Sequence, residues 1–170
     1  MIDLNNNIIL IGMPGSGKST VGVLVAKMLG FDFLDSDLLI QKTENKRLCE
    51  ILRDSGNEYF CDLEDKVNSD IVCDKTVIAT GGSVVYCENA MKHLKSIGKV
   101  VYLKVPLGTL EKRVDNFDTR GIMMKKGATL KDIFDERAPL YEKYAEITVN
   151  VGCSSLTKSA EKIIKAIKNA

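Results

Sequence analysis

Short runs of apolar, β-branched residues alternate along the chain with longer stretches in which apolar positions recur every three or four residues. Ile8–Ile11, Phe31–Leu34, Val77–Ala79, Lys99–Leu103 and Ile147–Val149 are the short runs, and each predicts a buried strand. Ser19–Leu29 predicts a helix stopped by Gly30. Residues 38–74 read as a polar helical region broken at Ser55-Gly56-Asn57, and Cys87–Lys95 and Leu107–Asp115 as two further helices. Residues 116–128 lack periodicity and hold two glycines, which predicts a mobile loop. The following helix carries Ile133, Phe134, Arg137, Leu140, Tyr141 and Tyr144 on one face, and Pro139 is expected to kink or restart it. Leu156, Ala160, Ile163, Ile164 and Ile167 form the apolar stripe of a last helix. Strands alternating with helices imply an α/β fold: a five-stranded parallel sheet with helices on both faces. No linker or repeat divides it, so residues 1–170 read as one domain.

The first strand runs directly into Gly12-Met13-Pro14-Gly15-Ser16-Gly17-Lys18-Ser19, which fits G-x-x-x-x-G-K-[ST]. Glycines let backbone N–H groups converge on phosphate oxygens. The helix that follows adds the positive end of its dipole. Lys18 is expected to reach the β- and γ-phosphates and the Ser19 hydroxyl to ligate Mg²⁺. The predicted nucleotide site is Gly12, Gly15, Ser16, Gly17, Lys18, Ser19 and Thr20.

Composition narrows the rest. The 170 residues carry 24 Lys plus Arg against 23 Asp plus Glu, a net charge of +1 that argues against a nucleic-acid coat. A single His excludes mechanisms needing two. Five cysteines without a C-x-x-C pair read as reduced thiols, which places the chain in the cytoplasm. The N-terminal MIDLNNNIILIG lacks a basic region and a long apolar run, so neither a signal peptide nor a membrane span is expected.

Taken in order, NIILIGMPGSGKSTVG, FDFLDSD, VIATGG, an Arg-bearing loop and ERAPLYEKYA resemble the shikimate kinases from Ile8 to about Ala145. The resemblance implies a three-layer P-loop kinase fold of the nucleoside-monophosphate-kinase type, with strand order 2-3-1-4-5 and a lid at about 116–128. It implies transfer of the ATP γ-phosphate to the 3-hydroxyl of shikimate, a step of aromatic amino acid biosynthesis. Asp35 resembles the carboxylate near the Mg²⁺ shell. Asp37 resembles the residue that binds and orients the acceptor hydroxyl. At i and i+2 the two share a side only in extended backbone. An N-cap pair for the next helix is an alternative compatible with function. Gly81 and Gly82 resemble the acceptor-binding glycines. Arg120 resembles the lid arginine on the transferring phosphate, and Arg113 the one lying against adenine, with solvated surface charge as the alternative for each. Arg137 resembles the arginine on the acceptor carboxylate. It also falls on an apolar helix face, where a charge is either paired or at a site. The loop Asn150–Ser155 falls where the family cradles adenine.

Three positions depart from the family pattern. Phe60-Cys61 stands where Phe-Arg supplies a second guanidinium for the shikimate carboxylate, with Glu64 retained at the expected spacing. Ser83 replaces a third glycine, and Arg120-Gly121-Ile122-Met123 replaces R-P-L-L. Cys61 is carried as the substrate-site residue, and Arg53 and Lys66 as candidates to restore its charge. The expected catalytic set is Lys18, Asp37 and Arg120. The acceptor site is expected between residues 38–74 and Gly81-Gly82, with shikimate, ATP and Mg²⁺ bound to a monomer. The alternatives are a same-fold kinase for another small polyol or hydroxy acid, and a non-catalytic nucleotide-binding regulator.

Overall fold

Asn7–Ile11 (β1) is apolar apart from Asn7 and buried throughout, which fits the central strand of a parallel sheet covered on both faces. The computed structural model describes residues 7–114 and 121–170. Asp32–Asp35 (β2), Thr76–Ala79 (β3), Gly98–Lys104 (β4) and Ile147–Asn150 (β5) complete a parallel sheet in the order β2-β3-β1-β4-β5. Ile9 pairs with Ile78 on one side and Val100 on the other. The side chain of Asn7 ties the lower edge, donating to the carbonyls of Cys73 and Ile97 and accepting from the Thr76 N–H.

Helix Lys18–Leu29 (α1) follows β1 and packs against Leu156–Asn169 (α7). Ser36–Glu44 (α2) and Leu48–Ser69 (α3) lie between β2 and β3. A 3-10 turn at Val84–Tyr86 precedes Glu88–Ile97 (α4), which packs against α3. Leu107–Arg113 (α5) and Leu130–Tyr144 (α6) lie between β4 and β5. All β-to-α turns therefore open at one edge of the sheet, where ligands of such folds bind.

The helical regions differ from expectation in three places. Residues 38–74 are not one helix with one break. Asn45 adopts left-handed backbone (φ 51°) and ends α2 nine residues in, while residues 71–74 are not helical. The expected interruption at 55–57 is present as a kink at Gly56 (φ 81°, ψ 176°) inside α3. Pro139 does not restart α6, which runs unbroken from Leu130 to Tyr144. Pro139 and Asp135 both face solvent, so water can serve the carbonyl that the proline cannot.

Candidate active site

The turn after β1 folds so that Ser16 N–H donates to the Met13 carbonyl at 3.1 Å, and Gly15 and Gly17 take φ of 81° and 92°. Those angles are strained for any residue with a Cβ, and they aim backbone N–H groups at the space above the loop. Gly15, Gly17, Lys18, Ser19 and Thr20 line a cavity of about 430 Å³ over this edge of the sheet. Gly12 and Ser16 do not line it: Lys18 Nζ donates to the Gly12 carbonyl at 2.7 Å and lies 3.5 Å from the Ser16 hydroxyl. Burial lowers the Lys18 ammonium to about 8, opposed by the charge of Asp37. Its present acceptors are neutral carbonyls, including that of Met13 at 3.0 Å. Phosphate oxygens in the cavity would be stronger ones.

Asp35 ends β2 and caps α2. Its Oδ1 accepts from the N–H groups of Asp37 (3.0 Å) and Leu38 (3.3 Å), so of the expected N-cap pair Asp35 alone is the cap. Its Oδ2 accepts from the Ser19 hydroxyl at 2.6 Å. Two hard oxygen donors thus meet beside the phosphate loop, a donor set suited to Mg²⁺ that shares its remaining ligands with phosphate and water. Among the described residues no group of three or more His, Cys, Asp or Glu is placed to hold a metal by itself.

Asp37 is in the first turn of α2, not on the extended segment, and it faces the cavity. Burial, with Asp35 adding to it and Lys18 opposing, raises its carboxyl to about 6. Gly81 and Gly82 line the same cavity, Gly81 directly beside Asp37. A Cβ at Gly81 would overlap Glu64 Oε1 and come within 2.8 Å of Asp37 Oδ1, so any larger residue here would have to displace both carboxyls. Glu64 was noted in the sequence only for its spacing, yet it is a fully buried carboxyl. Its Oε2 accepts from the Ser83 hydroxyl at 2.5 Å, and Oε1 has no hydrogen-bond partner. Burial raises it to about 8, with Ser83 opposing. Ser83, which replaces a glycine of the family pattern, is thus the nearest donor to this carboxyl, with Cys87 Sγ 4.0 Å from the same oxygen.

Arg137 is 2 % exposed and also lines the cavity. Among the described residues no carboxylate forms an ion pair with it. Its Nε donates to the Tyr86 hydroxyl at 3.3 Å and its Nη2 to the Met123 carbonyl. Arg113 Nη2 donates to the Gly152 carbonyl (2.9 Å) and Nη1 to Gly15 (3.4 Å), so it ties the phosphate loop to the turn after β5. Arg120 lies outside the described residues. Gly121, Ile122 and Met123 of the predicted lid line the cavity, and Asn57 Nδ2 holds the next carbonyl, that of Met124, at 2.9 Å.

Cys61 is not where the expectation put it. It does not line the cavity: its Sγ lies 3.9 Å from Cys87 Sγ, while its neighbour Phe60 faces inward. The replacement charges fail as well. Arg53 is exposed and bonds Asp54, and Lys66 lines a separate groove between α2 and α3. The described cations on the cavity wall are Lys18, Arg113 and Arg137. Phe60, Ile122 and Met123 supply apolar wall together with Leu48, which no sequence motif marked.

A phosphate loop on a 2-3-1-4-5 sheet, with the Asp37 carboxylate and the buried cations Lys18 and Arg137 on one cavity, defines a P-loop small-molecule kinase. Residues 14–168 match the family described as shikimate kinase. A shikimate kinase of Persephonella marina is 36 % identical over 163 residues, spanning 95 % of this chain and 99 % of that one. The solved structure of Acinetobacter baumannii shikimate kinase in complex with shikimate superposes with a TM-score of 0.89, at 30 % identity, covering 96 % of this chain and 93 % of that one. Aquifex aeolicus shikimate kinase gives 0.81 at 31 % identity, covering 96 % of both. The chain belongs to the shikimate kinase family.

Proposed function

We propose that this protein transfers the γ-phosphate of ATP to a hydroxyl of shikimate. The observation that carries the reading is the convergence of Asp37, Gly81-Gly82 and Arg137 on the cavity that the phosphate loop opens into. One end offers a carboxylate for a hydroxyl, and the other a buried guanidinium free of any described carboxylate, matched to an acceptor that is itself an anion. The structural likeness to a kinase solved with shikimate supports the same acceptor.

The Gly15–Thr20 loop and Lys18 hold the phosphates, and Arg113 buttresses that loop beside the nucleotide. Ser19 and Asp35 would hold Mg²⁺, which when bound neutralises charge on the phosphate oxygens. Asp37 accepts the hydrogen of the attacking hydroxyl and fixes its approach, and Arg137 anchors the far end of the acceptor. Arg120 would add positive charge at the transferring phosphate, and residues 116–128 would close over it and exclude water. On this reading the protein is a cytoplasmic monomer; among the described residues no helix is long and apolar enough to cross a membrane.

An ADP-release assay across acceptors tests this. Shikimate at millimolar concentration should be turned over well above the ATP-only background. Turnover with another polyol or hydroxy acid, but not with shikimate, would refute the assignment.

A further inference from the structure

Arg137 is the one described guanidinium on the acceptor side of the cavity, since Cys61 faces Cys87. How that single group is aimed therefore decides how well an acceptor carboxylate is held. A long arginine side chain has many rotamers, and binding must fix one of them unless the fold has already done so.

The fold fixes it from three directions. The Tyr86 hydroxyl accepts from Nε at 3.3 Å. The Tyr86 ring lies under the guanidinium, with Cζ 5.2 Å from the ring centroid. The Met123 carbonyl accepts from Nη2. That leaves Nη1, which approaches Gly82 so closely that a Cβ there would be 3.3 Å from it. Tyr86 itself does not line the cavity. It ends the 3-10 turn that begins immediately after Gly81-Gly82-Ser83. The segment that provides the acceptor's backbone contacts thus also provides the platform for the guanidinium. Tyr141 reinforces this, its hydroxyl donating to the Gly82 carbonyl at 2.5 Å.

We propose that Tyr86 is a positioning residue for acceptor recognition, holding the Arg137 guanidinium by stacking and by its hydroxyl so that Nη1 faces the acceptor carboxylate. The inference rests on the shikimate assignment above. Met123 lies in the predicted lid segment, whereas Tyr86 follows directly from the Gly81-Gly82-Ser83 turn at the sheet edge and contributes both a hydroxyl and a ring.

Steady-state kinetics of Tyr86→Phe and Tyr86→Leu, with shikimate and ATP varied separately, test the proposal. Tyr86→Phe keeps the ring and loses the acceptor, so KM for shikimate should rise about 5-fold. Tyr86→Leu loses both, and the rise should be about 20-fold. In both variants KM for ATP should stay within twofold, and kcat should change little. In an Arg137→Lys background, which already lacks the planar group, Tyr86→Leu should add less than threefold. Far-UV circular dichroism melts establish that each variant is folded. Should Tyr86→Leu not fold, Tyr86→Phe carries the test alone. An unchanged shikimate KM in folded variants, equal rises for both substrates, or a full additive loss in the Arg137→Lys background would overturn the role of Tyr86. Failure of the wild-type protein to phosphorylate shikimate would instead overturn the assignment beneath it.

Discussion

Removing the Ser83 hydroxyl strips the fully buried Glu64 carboxyl of its short hydrogen bond: Ser83 serves Oε2, Oε1 has no partner, and only the weak Cys87 Sγ contact to Oε2 at 4.0 Å is left. The expected cost depends on pH, and the sign follows from the raised pKa. An ordinary Glu ionises near 4.5, but in the fold Glu64 holds its proton to about 8. Between those values the unfolded chain gives up a proton that the folded chain keeps. The Glu64 contribution to stability is therefore present in full below pH 4.5 and is lost as pH rises towards 8. The bond from Ser83 favours the ionised form, so Ser83→Ala raises the pKa further and deepens that loss. At pH 6 Glu64 is protonated in the fold, and the variant loses a bond between neutral groups, about 1 kcal/mol. At pH 9 it loses a charge-assisted bond to a buried carboxylate, about 2–3 kcal/mol. For a chain of this length each kcal/mol lowers Tm by about 2–4 °C. Urea denaturation followed by far-UV circular dichroism at the two pH values measures this directly, and the chain has no Trp to serve as a fluorescent probe. Glu64→Gln is the control: it cannot ionise and should flatten the decline above pH 6. A Ser83→Ala cost below about 0.5 kcal/mol at pH 9, or an equal cost at both pH values, would refute the placement of Ser83 as the partner of Glu64.

Other consequences are equally specific. Asp37 must be ionised to accept the hydroxyl hydrogen, and its carboxyl sits near 6, so kcat/KM should rise with pH through about 6; Lys18 near 8 should bring the ATP profile down again on the alkaline side. Asp37→Asn should lower kcat about 10²–10⁴-fold and remove the acidic limb. Arg113→Ala cuts the ties to Gly15 and Gly152 and should raise KM for ATP about 5- to 10-fold while leaving that for shikimate unchanged. Gly81→Ala puts a Cβ against the Glu64 and Asp37 carboxyls, displacing Asp37, and should lower kcat at least ~10-fold even where circular dichroism shows a folded chain.

The strands and the phosphate loop were legible because their signals are local. Ile8–Ile11 is continuous apolar sequence, and the G-x-x-x-x-G-K-S spacing encodes a turn whose geometry needs those glycines. The Asn45 break between α2 and α3 was not legible, since asparagine in left-handed backbone costs too little to leave a strong mark. Pro139 does not restart the helix, for the opposite reason: its local signal is strong, but it and Asp135, four residues earlier, lie on an exposed face where water can absorb the cost. The partnerships inside the site are the least readable. Ser83 meets Glu64 across nineteen positions and Tyr86 meets Arg137 across fifty-one. No periodicity relates such residues. Only the topology, which brings the ends of β1, β2 and β3 to one edge, sets them side by side. Cys61 shows the same limit. Its position in the family pattern was readable, but the direction of its thiol, towards Cys87, depends on how α3 packs against α4.

The central claim is transfer of phosphate to shikimate by a cavity that joins the phosphate loop to Asp37, Gly82 and Arg137. Phosphorus NMR of the protein with MgATP and shikimate tests it most directly. The prediction is a new phosphomonoester resonance that grows in step with ADP, with inorganic phosphate staying at the level of a shikimate-free control. ADP accompanied by inorganic phosphate alone, or no change in the spectrum, would contradict it.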